Sequence, residues 1–252
     1  MRLEDFELLY KLEESYWWFV GMRSITDTIA STELQKSNLC ILDAGCGTGF
    51  NMNYFGTLIP KKVFGLDIAD AAIAFVRKRG IRKIVQASVT EIPFKSESFD
   101  LVFSFEVVTQ LPCDLHDCAL REAYRVLKPG GFLFLRVPAF MWLWSSHDEE
   151  LQVFHRYTRP ELAKKLLDLN YSLEWISYAN TLLFPLILLR RFLKHLGIAK
   201  GSDVRPLPRG FEWLNRVFRQ ILDCEAKWFR SRRCFPFGLS LICYAKKITS
   251  IP

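Results

Sequence analysis

The feature that most constrains the fold of this chain is a glycine-rich turn at the end of an apolar run. Residues 39–42 read Leu-Cys-Ile-Leu and pass directly into residues 43–49, Asp-Ala-Gly-Cys-Gly-Thr-Gly. An apolar run of this length predicts a buried strand, and glycines let a backbone turn sharply and approach a ligand closely. The stretch therefore predicts a strand that breaks into a turn at a binding site, which is typical of enzymes.

The spacing of the glycines separates this turn from a dinucleotide-binding motif. The pattern is Gly-x-Gly-x-Gly, whereas a dinucleotide fingerprint reads Gly-x-Gly-x-x-Gly before a helix that faces a pyrophosphate. Residues 63–67 predict a second strand that ends in Asp67, at about the twenty-residue interval from which an acid can accept from ribose hydroxyls. These features favour a nucleoside ligand without phosphates. The alternative is a plain strand-to-helix connection.

Several further blocks resemble the class I S-adenosylmethionine-dependent methyltransferases. Their order and spacing agree with that family from about residue 38 to residue 138, and the blocks are 85–89 leading into 92–94, 98–103, 125–131 and 132–137. The resemblance implies an α/β fold with a doubly wound, Rossmann-like sheet of seven mostly parallel strands and helices on both faces. It also implies S-adenosyl-L-methionine as the cofactor.

The alternation of apolar runs and helical patterns leads to the same architecture. Strands are predicted at 39–43, 62–67, 83–87, 99–105 and 131–137, with helices near 50–58, 70–79 and 115–127. A helix at 159–169 and strands at 171–178 and 238–246 would complete the sheet. The predicted organisation is a helical, aromatic N-terminal lid (1–37), the cofactor-binding core (38–178), a helical apolar and basic insertion (179–237) and a C-terminal strand (238–252).

The resemblance places the cofactor site at the carboxyl ends of the strands. Asp43 would orient the turn and reach the methionine ammonium, Asp67 would accept from the ribose hydroxyls, and Ile68 would press on the adenine. Where this chain has Ser88, many relatives have an Asp that accepts a hydrogen bond from the adenine amino group. The serine oxygen can still accept such a bond, and the neighbouring Val89 backbone can still contact the adenine edge. The cofactor-binding residues so implied are Asp43, Gly45, Cys46, Gly47, Asp67, Ile68, Ser88, Val89, Phe105, Trp18 and Arg23.

Both ends of the chain resemble a bacterial group of these enzymes that modifies cell-surface sugars, lipids or other secondary products. The blocks that carry this are 16–19, Tyr-Trp-Trp-Phe, with Arg23, and 137–140, 143–148 and 155–158. Relatives have the sequence Gly-His-x-Arg-Arg-Tyr where residues 152–157 of this chain are Gln-Val-Phe-His-Arg-Tyr. Many relatives also have a His at the position that Gln110 occupies here. The aromatic segment would be a lid over the cofactor or a helix packed on the core.

Methyl transfer from a sulfonium needs little more than positioning and desolvation, so a general base is optional. For a hydroxyl acceptor, His147 and His155 are candidate bases because their ordinary pKa suits neutral pH, and Glu106 is the acid at the end of the fourth strand. A structural hydrogen bond is the alternative for each histidine. Asp148 would orient His147 only if the chain bends there, because adjacent residues point apart. The predicted substrate-binding residues are Trp144, Arg156 and Tyr157.

The net charge of +7 lies in the C-terminal part of the chain. Residues 1–150 hold 16 Lys and Arg against 20 Asp and Glu, whereas residues 151–252 hold 18 against 7. A basic face can serve nucleic acid, an anionic membrane or an acidic substrate, or simply be solvated, and no nucleic-acid-binding motif is present. Seven scattered cysteines form neither a disulfide framework nor a zinc site, and the acidic start of the chain lacks a secretion signal. A cytoplasmic location is therefore expected, with no metal.

The insertion contains an apolar run, residues 182–189, followed by the basic sequence Arg-Arg-Phe-Leu-Lys at 190–194. A run of this length is too short to span a bilayer, which needs ~20 apolar residues. The segment 182–196 would therefore be an interfacial membrane helix, a cap over an apolar substrate or a dimer face. The oligomeric state is not readable from the sequence.

The interpretation favoured by the sequence is methyl transfer to a small or lipid-linked metabolite at oxygen. Two alternatives stay open. A protein with this fold can bind the cofactor without transferring methyl, as a cyclase or a scaffold, because fold does not fix function. A nucleic-acid methyltransferase is the second, although residues 106–109 lack the Asn-Pro-Pro-Tyr or Asp-Pro-Pro-Tyr block that methylation of base amines would require.

Overall fold

The computed structural model of the protein describes residues 3–58, 62–195 and 210–248, with side chains to residue 57 in the first range and to residue 190 in the second. These residues form ten α-helices and seven strands. In chain order they are α1 (Leu3–Leu12), α2 (Trp17–Ile29), α3 (Ser31–Leu34), β1 (Cys40–Ala44), α4 (Phe50–Leu58), β2 (Lys62–Asp67), α5 (Asp70–Lys78), β3 (Ile84–Gln86), β4 (Phe99–Phe105), α6 (His116–Val126), β5 (Leu127–Pro138), α7 (Ser146–Glu150), α8 (Arg159–Asp168), β6 (Tyr171–Ala179), α9 (Phe184–His195), α10 (Glu212–Arg230) and β7 (Ser240–Lys247).

The strands form one sheet in the order β3-β2-β1-β4-β5-β7-β6. Neighbouring strands from β3 to β5 are parallel, and β7 runs antiparallel to both β5 and β6. The strand order reverses between β1 and β4, and such a switch point opens a crevice at the carboxyl ends of the strands. The predicted doubly wound, mostly parallel seven-stranded fold is confirmed.

Alternate residues of the central strands pack on opposite faces of the sheet. Leu42 of β1 and Val102 of β4 belong to one buried cluster, whereas their neighbours Ile41 and Phe103 belong to the other. Strands that are apolar on both faces are typical of parallel sheets covered by two helical layers. This explains why β1 and β4 read as continuous apolar runs in the sequence.

Strand β5 begins at Leu127, earlier than the predicted residue 131. Leu127 pairs with Phe99, and the register between the two strands then shifts before Leu101 pairs with Phe132. The intervening Gly130 has a φ of 77°, a conformation that glycine adopts without strain. The Pro-Gly-Gly sequence therefore forms an irregularity inside the strand rather than a turn before it.

The N-terminal helices pack against the predicted insertion. Helix α2 lies along α10, where a Cβ atom at Gly21 would lie 2.3 Å from Cδ1 of Leu222. The Trp17 ring meets the Phe218 ring edge-on at 5.3 Å. Of the predicted insertion, residues 196–209 lie outside the described residues. Among the helices that the structure describes, none is both long and apolar enough to cross a membrane.

Candidate functional site

The glycine turn follows β1 and lies against the end of β2. The backbone N–H groups of Gly45 and Cys46 both donate to the Leu66 carbonyl, at 2.8 and 3.0 Å. Gly45 has a φ of 85°, and a Cβ atom there would lie 2.2 Å from Cγ2 of Val107. Any other residue at this position would therefore strain the backbone and clash with the segment after β4.

Gly47 presents the open part of the turn. Its φ is 54°, and the nearest atom to an added Cβ is Cδ2 of Leu9, at 3.6 Å. Leu9 belongs to α1, so the first helix of the chain lies beside the glycine turn. The predicted aromatic lid segment, Tyr16 to Phe19, follows α1. Trp17 packs towards α10, whereas the ring of Trp18 lies under the Arg136 guanidinium.

Asp67 ties the glycine turn to the end of β2. Its Oδ2 accepts from the N–H of Gly47 at 2.9 Å, and its Oδ1 accepts from the N–H of Ala69 at 3.0 Å. The carboxylate is partly exposed, so it can accept further hydrogen bonds from a ligand. The neighbouring Ile68 is 69% exposed, which is unusual for a large apolar side chain and leaves its surface available to a ring.

Asp43 ends β1 as a buried carboxyl group. It is 2% exposed, and its Oδ2 has no hydrogen-bond partner among the described residues. Burial, and next the negative charge of Asp67, raise the pKa of Asp43 to about 7, while the Arg136 guanidinium opposes this rise. An unsatisfied buried carboxylate is costly, and a cationic ligand with an N–H donor would relieve that cost.

Glu13 is a third acid beside the turn, and no sequence motif marks it. It lies just after α1, is 7% exposed, and accepts from the Thr48 hydroxyl and from an Arg79 guanidinium nitrogen at 2.5 Å. Burial raises the pKa of Glu13, and Thr48 and Arg79 oppose that rise. Glu13 therefore fixes the chain after α1 to the glycine turn and to the segment after α5.

Arg23 lies behind this contact. Its guanidinium donates to the Glu13 carbonyl at 2.7 Å and lies 4.4 Å from the centre of the Phe50 ring. Burial lowers the pKa of Arg23 to about 10, and the charge of Glu13 opposes the change. Arg23 is 8% exposed, so the predicted contact with the cofactor would have to be made by the part of the guanidinium that does not contact Glu13 or Phe50.

The ends of β4 and β5 bring Glu106, Phe105 and Trp18 together around a buried arginine. Arg136 of β5 pairs with Glu106 at 3.0 Å, and its guanidinium lies over the rings of Trp18 and Phe105, at 4.9 and 4.7 Å. Glu106 adopts a φ of 64°, rare for a residue that is not glycine. Burial raises the pKa of Glu106, and the charge of Arg136 opposes the rise. Sequence analysis missed Arg136, which reads only as a polar position within an apolar strand.

Ser88 and Val89 follow β3 at the same edge of the sheet. The Ser88 hydroxyl is 2.7 Å from the Thr90 hydroxyl and accepts from the Thr90 N–H at 3.2 Å, while Val89 is buried. Cys46 is buried in the turn, and burial raises its thiol pKa far above the ordinary value, as expected for a small filler.

The candidate base His147 lies on α7 and is half-buried. Its neighbour Asp148 does not orient it by any described contact. Asp148 instead accepts from the Arg156 guanidinium at 2.8 and 2.9 Å and from the Ser145 N–H at 2.8 Å. Arg156 also donates to the Ala139 carbonyl at 3.0 Å and is 4% exposed. This buried pair holds α7 against the end of β5.

Tyr157 and His155 also have partners within the protein. The Tyr157 hydroxyl is 2.6 Å from Nδ1 of His116, and Tyr157 is 1% exposed. His155 Nε2 lies 2.6 Å from Oε1 of Glu161. Arg156 and Tyr157 were predicted to hold the acceptor, but their polar groups are occupied inside the protein. Of the predicted substrate residues, only Trp144, at 36% exposure, presents a free surface.

The residues at the carboxyl edge of the sheet fit the predicted cofactor. Asp43 supplies an unsatisfied acid, Asp67 a partly exposed one, Gly47 an open backbone and Ile68 an exposed apolar surface. These are the contacts that an ammonium, ribose hydroxyls and an adenine ring would need. Among the described residues no group of three or more His, Cys, Asp or Glu side chains is placed to hold a metal ion.

Comparison with known proteins agrees with this geometry. A family model described as a methyltransferase domain matches residues 42–135. A protein of Mycolicibacterium smegmatis named "Probable S-adenosylmethionine-dependent methyltransferase" is 30% identical over 161 residues, 63% of this chain and 59% of that protein. The malonyl-[acyl-carrier protein] O-methyltransferase of Yersinia pestis is 34% identical over 100 residues, 39% of this chain and 36% of that protein.

The fold agrees along most of the chain. A solved S-adenosylmethionine-dependent methyltransferase from Thermotoga maritima superposes with a TM-score of 0.56 at 15% identity, over 96% of this chain and 99% of that one. The chain spans less than two thirds of the length of both curated relatives, so their complete activities do not transfer with the similarity. From the sheet order, the glycine turn with its acids and the match to residues 42–135, we conclude that this part of the chain is a methyltransferase domain of the class I S-adenosylmethionine-dependent type, whose cofactor is S-adenosyl-L-methionine.

Proposed function

We propose that the protein transfers the methyl group of S-adenosylmethionine to an oxygen atom of a small or lipid-linked metabolite. The observation that carries the proposal is the arrangement of acids around the open glycine turn, with the unsatisfied Asp43 beside the partly exposed Asp67. The O-methyltransferase among the relatives supports oxygen as the acceptor atom. The bound cofactor would supply an electrophilic methyl group on its sulfonium sulfur.

The residues that would hold the cofactor divide by the chemistry of its parts. Asp43 would accept from the methionine ammonium, and the Gly45 and Gly47 backbone would let that part of the molecule lie close to the turn. Asp67 would accept from the ribose hydroxyls while keeping its bonds to the Gly47 and Ala69 N–H groups. Ile68 would cover one face of the adenine, and Ser88 and Val89 would border its edge. Trp18, Phe105 and Arg23 would line the remaining wall.

The acceptor would lie beyond β4 and β5, between Glu106 and the segment that carries Trp144 and His147. A carboxyl group with a raised pKa beside a buried arginine can hold a hydroxyl acceptor or receive its proton, and an exposed tryptophan offers an apolar platform. His147, half-buried on α7, is the candidate general base, because an imidazole can accept the proton of a hydroxyl acceptor near neutral pH. Desolvation by the aromatic side chains would favour transfer in line with the sulfonium.

Calorimetric titration of the chain with S-adenosylmethionine and S-adenosylhomocysteine tests the cofactor site without an acceptor. We expect both to bind, and Asp67→Asn to weaken both by about tenfold or more, because a charge-assisted hydrogen bond is lost. The matched control is Asp100→Asn, a strand acid with an equally partnered carboxylate at the opposite edge of the sheet, bound to the Cys40 N–H and Lys128. Equal weakening in both variants would contradict the assignment of Asp67.

Transfer of a labelled methyl group to fractionated metabolite and lipid extracts tests the reaction itself. We expect label in an ester or ether that is stable to amine-directed reagents, and a His147→Ala variant whose kcat falls and loses its dependence on pH near neutrality. Binding of the cofactor without label in any fraction would favour the non-transferring alternative. Label in RNA or DNA would favour the nucleic-acid alternative.

A further inference from the structure

Arg136 is a buried cation at the carboxyl edge of the sheet, and most of its hydrogen-bonding capacity is unused. The residue is 7% exposed, and its side chain makes one hydrogen bond among the described residues, from Nε to Oε1 of Glu106 at 3.0 Å. The terminal nitrogens Nη1 and Nη2 donate to none of the described residues. A guanidinium carries five N–H donors, and buried donors without acceptors are costly. The edge formed by Nη1 and Nη2 is therefore a place for an acceptor that a ligand supplies.

Two aromatic rings hold this guanidinium in place without supplying that acceptor. Its central carbon lies 4.9 Å from the centre of the Trp18 ring and 4.7 Å from the centre of the Phe105 ring. Contacts with two rings and with Glu106 fix the position of the side chain before a ligand arrives. A guanidinium edge held in this way can bind both oxygens of a carboxylate at once. The surroundings of Arg136 therefore favour a planar anion as the missing partner.

Arg136 and Asp43 project from the same face of the sheet. Asp43 of β1 pairs with Phe103 of β4, and Phe105, two residues further along β4, pairs with Arg136 of β5. Paired residues and every second residue of a strand share a face, so these four side chains lie on one side. Burial lowers the pKa of Arg136, and the charges of Glu106 and of Asp43 oppose the change. A cation with free donors and an acid with a free Oδ2 thus face one crevice.

Arg23, the arginine that the sequence predicts to contact the cofactor, has no such free edge. Its Nη1 donates to the Glu13 carbonyl at 2.7 Å, and its Nη2 donates to the Glu14 carbonyl at 3.4 Å. Both terminal nitrogens of Arg23 are therefore used inside the protein. Of these two buried arginines, Arg136 is the one that can give both terminal nitrogens to a ligand.

We infer that Arg136 binds the carboxylate of the cofactor's methionine part, while Asp43 accepts from the ammonium group of the same part. An α-amino acid carries these opposite charges on one carbon atom, and a guanidinium and an acid on one face of the crevice complement both. The inference rests on the cofactor site proposed above and adds to it the residue that recognises the acid group of the methionine. It assigns this role to a strand residue of β5 in place of Arg23 on α2.

Calorimetric titration with two ligands that differ by one carboxylate tests the inference without turnover. The first ligand is S-adenosylhomocysteine, and the second is 5′-(3-aminopropylthio)-5′-deoxyadenosine, which is the same molecule without its carboxylate. We expect the parent to bind the first about tenfold or more tightly than the second, because only the first gives Arg136 an anionic acceptor. Arg136→Met should abolish this preference by weakening the binding of S-adenosylhomocysteine, and it should not weaken the binding of the amine.

Two further variants separate recognition of the carboxylate from the loss of an ion pair. Glu106→Gln is the matched control, because it breaks the same pair and keeps the guanidinium, so it should keep the parent's preference for the carboxylate. Arg136→Met leaves Glu106 buried without its partner, which can destabilise the fold. The double variant with Arg136→Met and Glu106→Gln contains neither charge, and it should show the same loss of preference as Arg136→Met.

The outcomes that would overturn the inference differ from one another in what else they imply. Equal affinity of the parent for both ligands would show that no residue recognises the carboxylate. A preference that persists in Arg136→Met and in the double variant would place the carboxylate on another residue and leave the edge of Arg136 to the methyl acceptor. Equal weakening of both ligands in the double variant would show that Arg136 only shapes the site. Failure of the parent to bind either ligand would overturn the proposed cofactor site together with the inference.

Discussion

Asp43 makes the stability of the protein depend on pH in a way that can be isolated. Its carboxyl group is 2% exposed and lacks a partner for Oδ2 among the described residues, and its pKa is raised from 3.8 to about 7. The folded protein therefore holds a proton at Asp43 over a pH range in which the unfolded chain has lost it. Asp43→Asn keeps the shape of the side chain and removes the ionisation.

The sign and the size of the effect follow from linkage. At low pH both states are protonated, and the contribution of Asp43 to stability is fully present. As the pH rises through the unfolded and then the folded pKa the contribution is lost, and above about pH 7 the loss is complete. A shift of about three pKa units corresponds to about 4 kcal/mol in all, of which about 3 kcal/mol is lost between about pH 5 and pH 8.

Thermal unfolding of the parent and of Asp43→Asn, each without cofactor, measures this quantity. We expect the difference in Tm, variant minus parent, to grow by roughly 8 °C from about pH 5 to about pH 8 for a domain of this size. Any effect of asparagine that does not depend on pH cancels in this comparison. Asp100→Asn is again the control, because its carboxylate is paired with Lys128 and about a third exposed, and its difference should change little.

The reasoning would be refuted if the difference in Tm between Asp43→Asn and the parent were constant across this pH range. That result would mean that Asp43 titrates normally and is not held in a desolvated site. A difference that shrank with rising pH would show that a cation inside the protein already compensates the charge, with Arg136 as the nearest candidate. In that case the cofactor would not be needed to satisfy Asp43.

Two other substitutions test how the site is built. Gly45→Ala should lower the free energy of unfolding by about 2–4 kcal/mol, measured with denaturant, because the φ of 85° and the 2.2 Å approach to Val107 both oppose a Cβ atom; an unchanged value would show that the turn relaxes freely. Arg156→Met should lower the free energy of unfolding by about 3–5 kcal/mol, because it leaves the buried Asp148 unpaired. The double variant with Asp148→Leu should recover part of that loss, and the absence of any recovery would contradict this reasoning.

The parts of the site that could be predicted from sequence are those in which local sequence determines local structure. The run before Asp43 is buried on both sides and the glycines after it need left-handed backbone, so strand and turn follow from a few adjacent residues. Asp67 ends β2 by the same logic. Register between parallel neighbours then brings these strand ends together, so the position of Asp43 and Asp67 at one edge of the sheet was predictable from the sequence.

The acceptor side could not be predicted in this way, because its residues are defined by contacts between distant segments. His147 and Asp148 are adjacent in sequence, but the Asp148 carboxylate pairs with Arg156, eight residues further on. It also accepts from the Ser145 N–H in the capping box of its helix. Tyr157 reads as a polar aromatic residue near the site, and its hydroxyl is taken by His116, 41 residues earlier. Their positions in the sequence make these residues candidates for the site, whereas their exposure to solvent depends on tertiary packing.

Glu13 and Asp43 together explain why the cofactor side is acidic although the protein is basic. Burial raises the pKa of both carboxyl groups, and for Asp43, whose Oδ2 is unpartnered among the described residues, the ionised form makes the folded state less stable at neutral pH. The Glu13 carboxylate accepts a hydrogen bond from Thr48 and pairs with Arg79, and these contacts hold the segment after α1 against the glycine turn. Asp43 has no comparable partner for Oδ2 among the described residues, and for this reason we propose Asp43, rather than Glu13, as the acid that accepts from the cofactor's ammonium group.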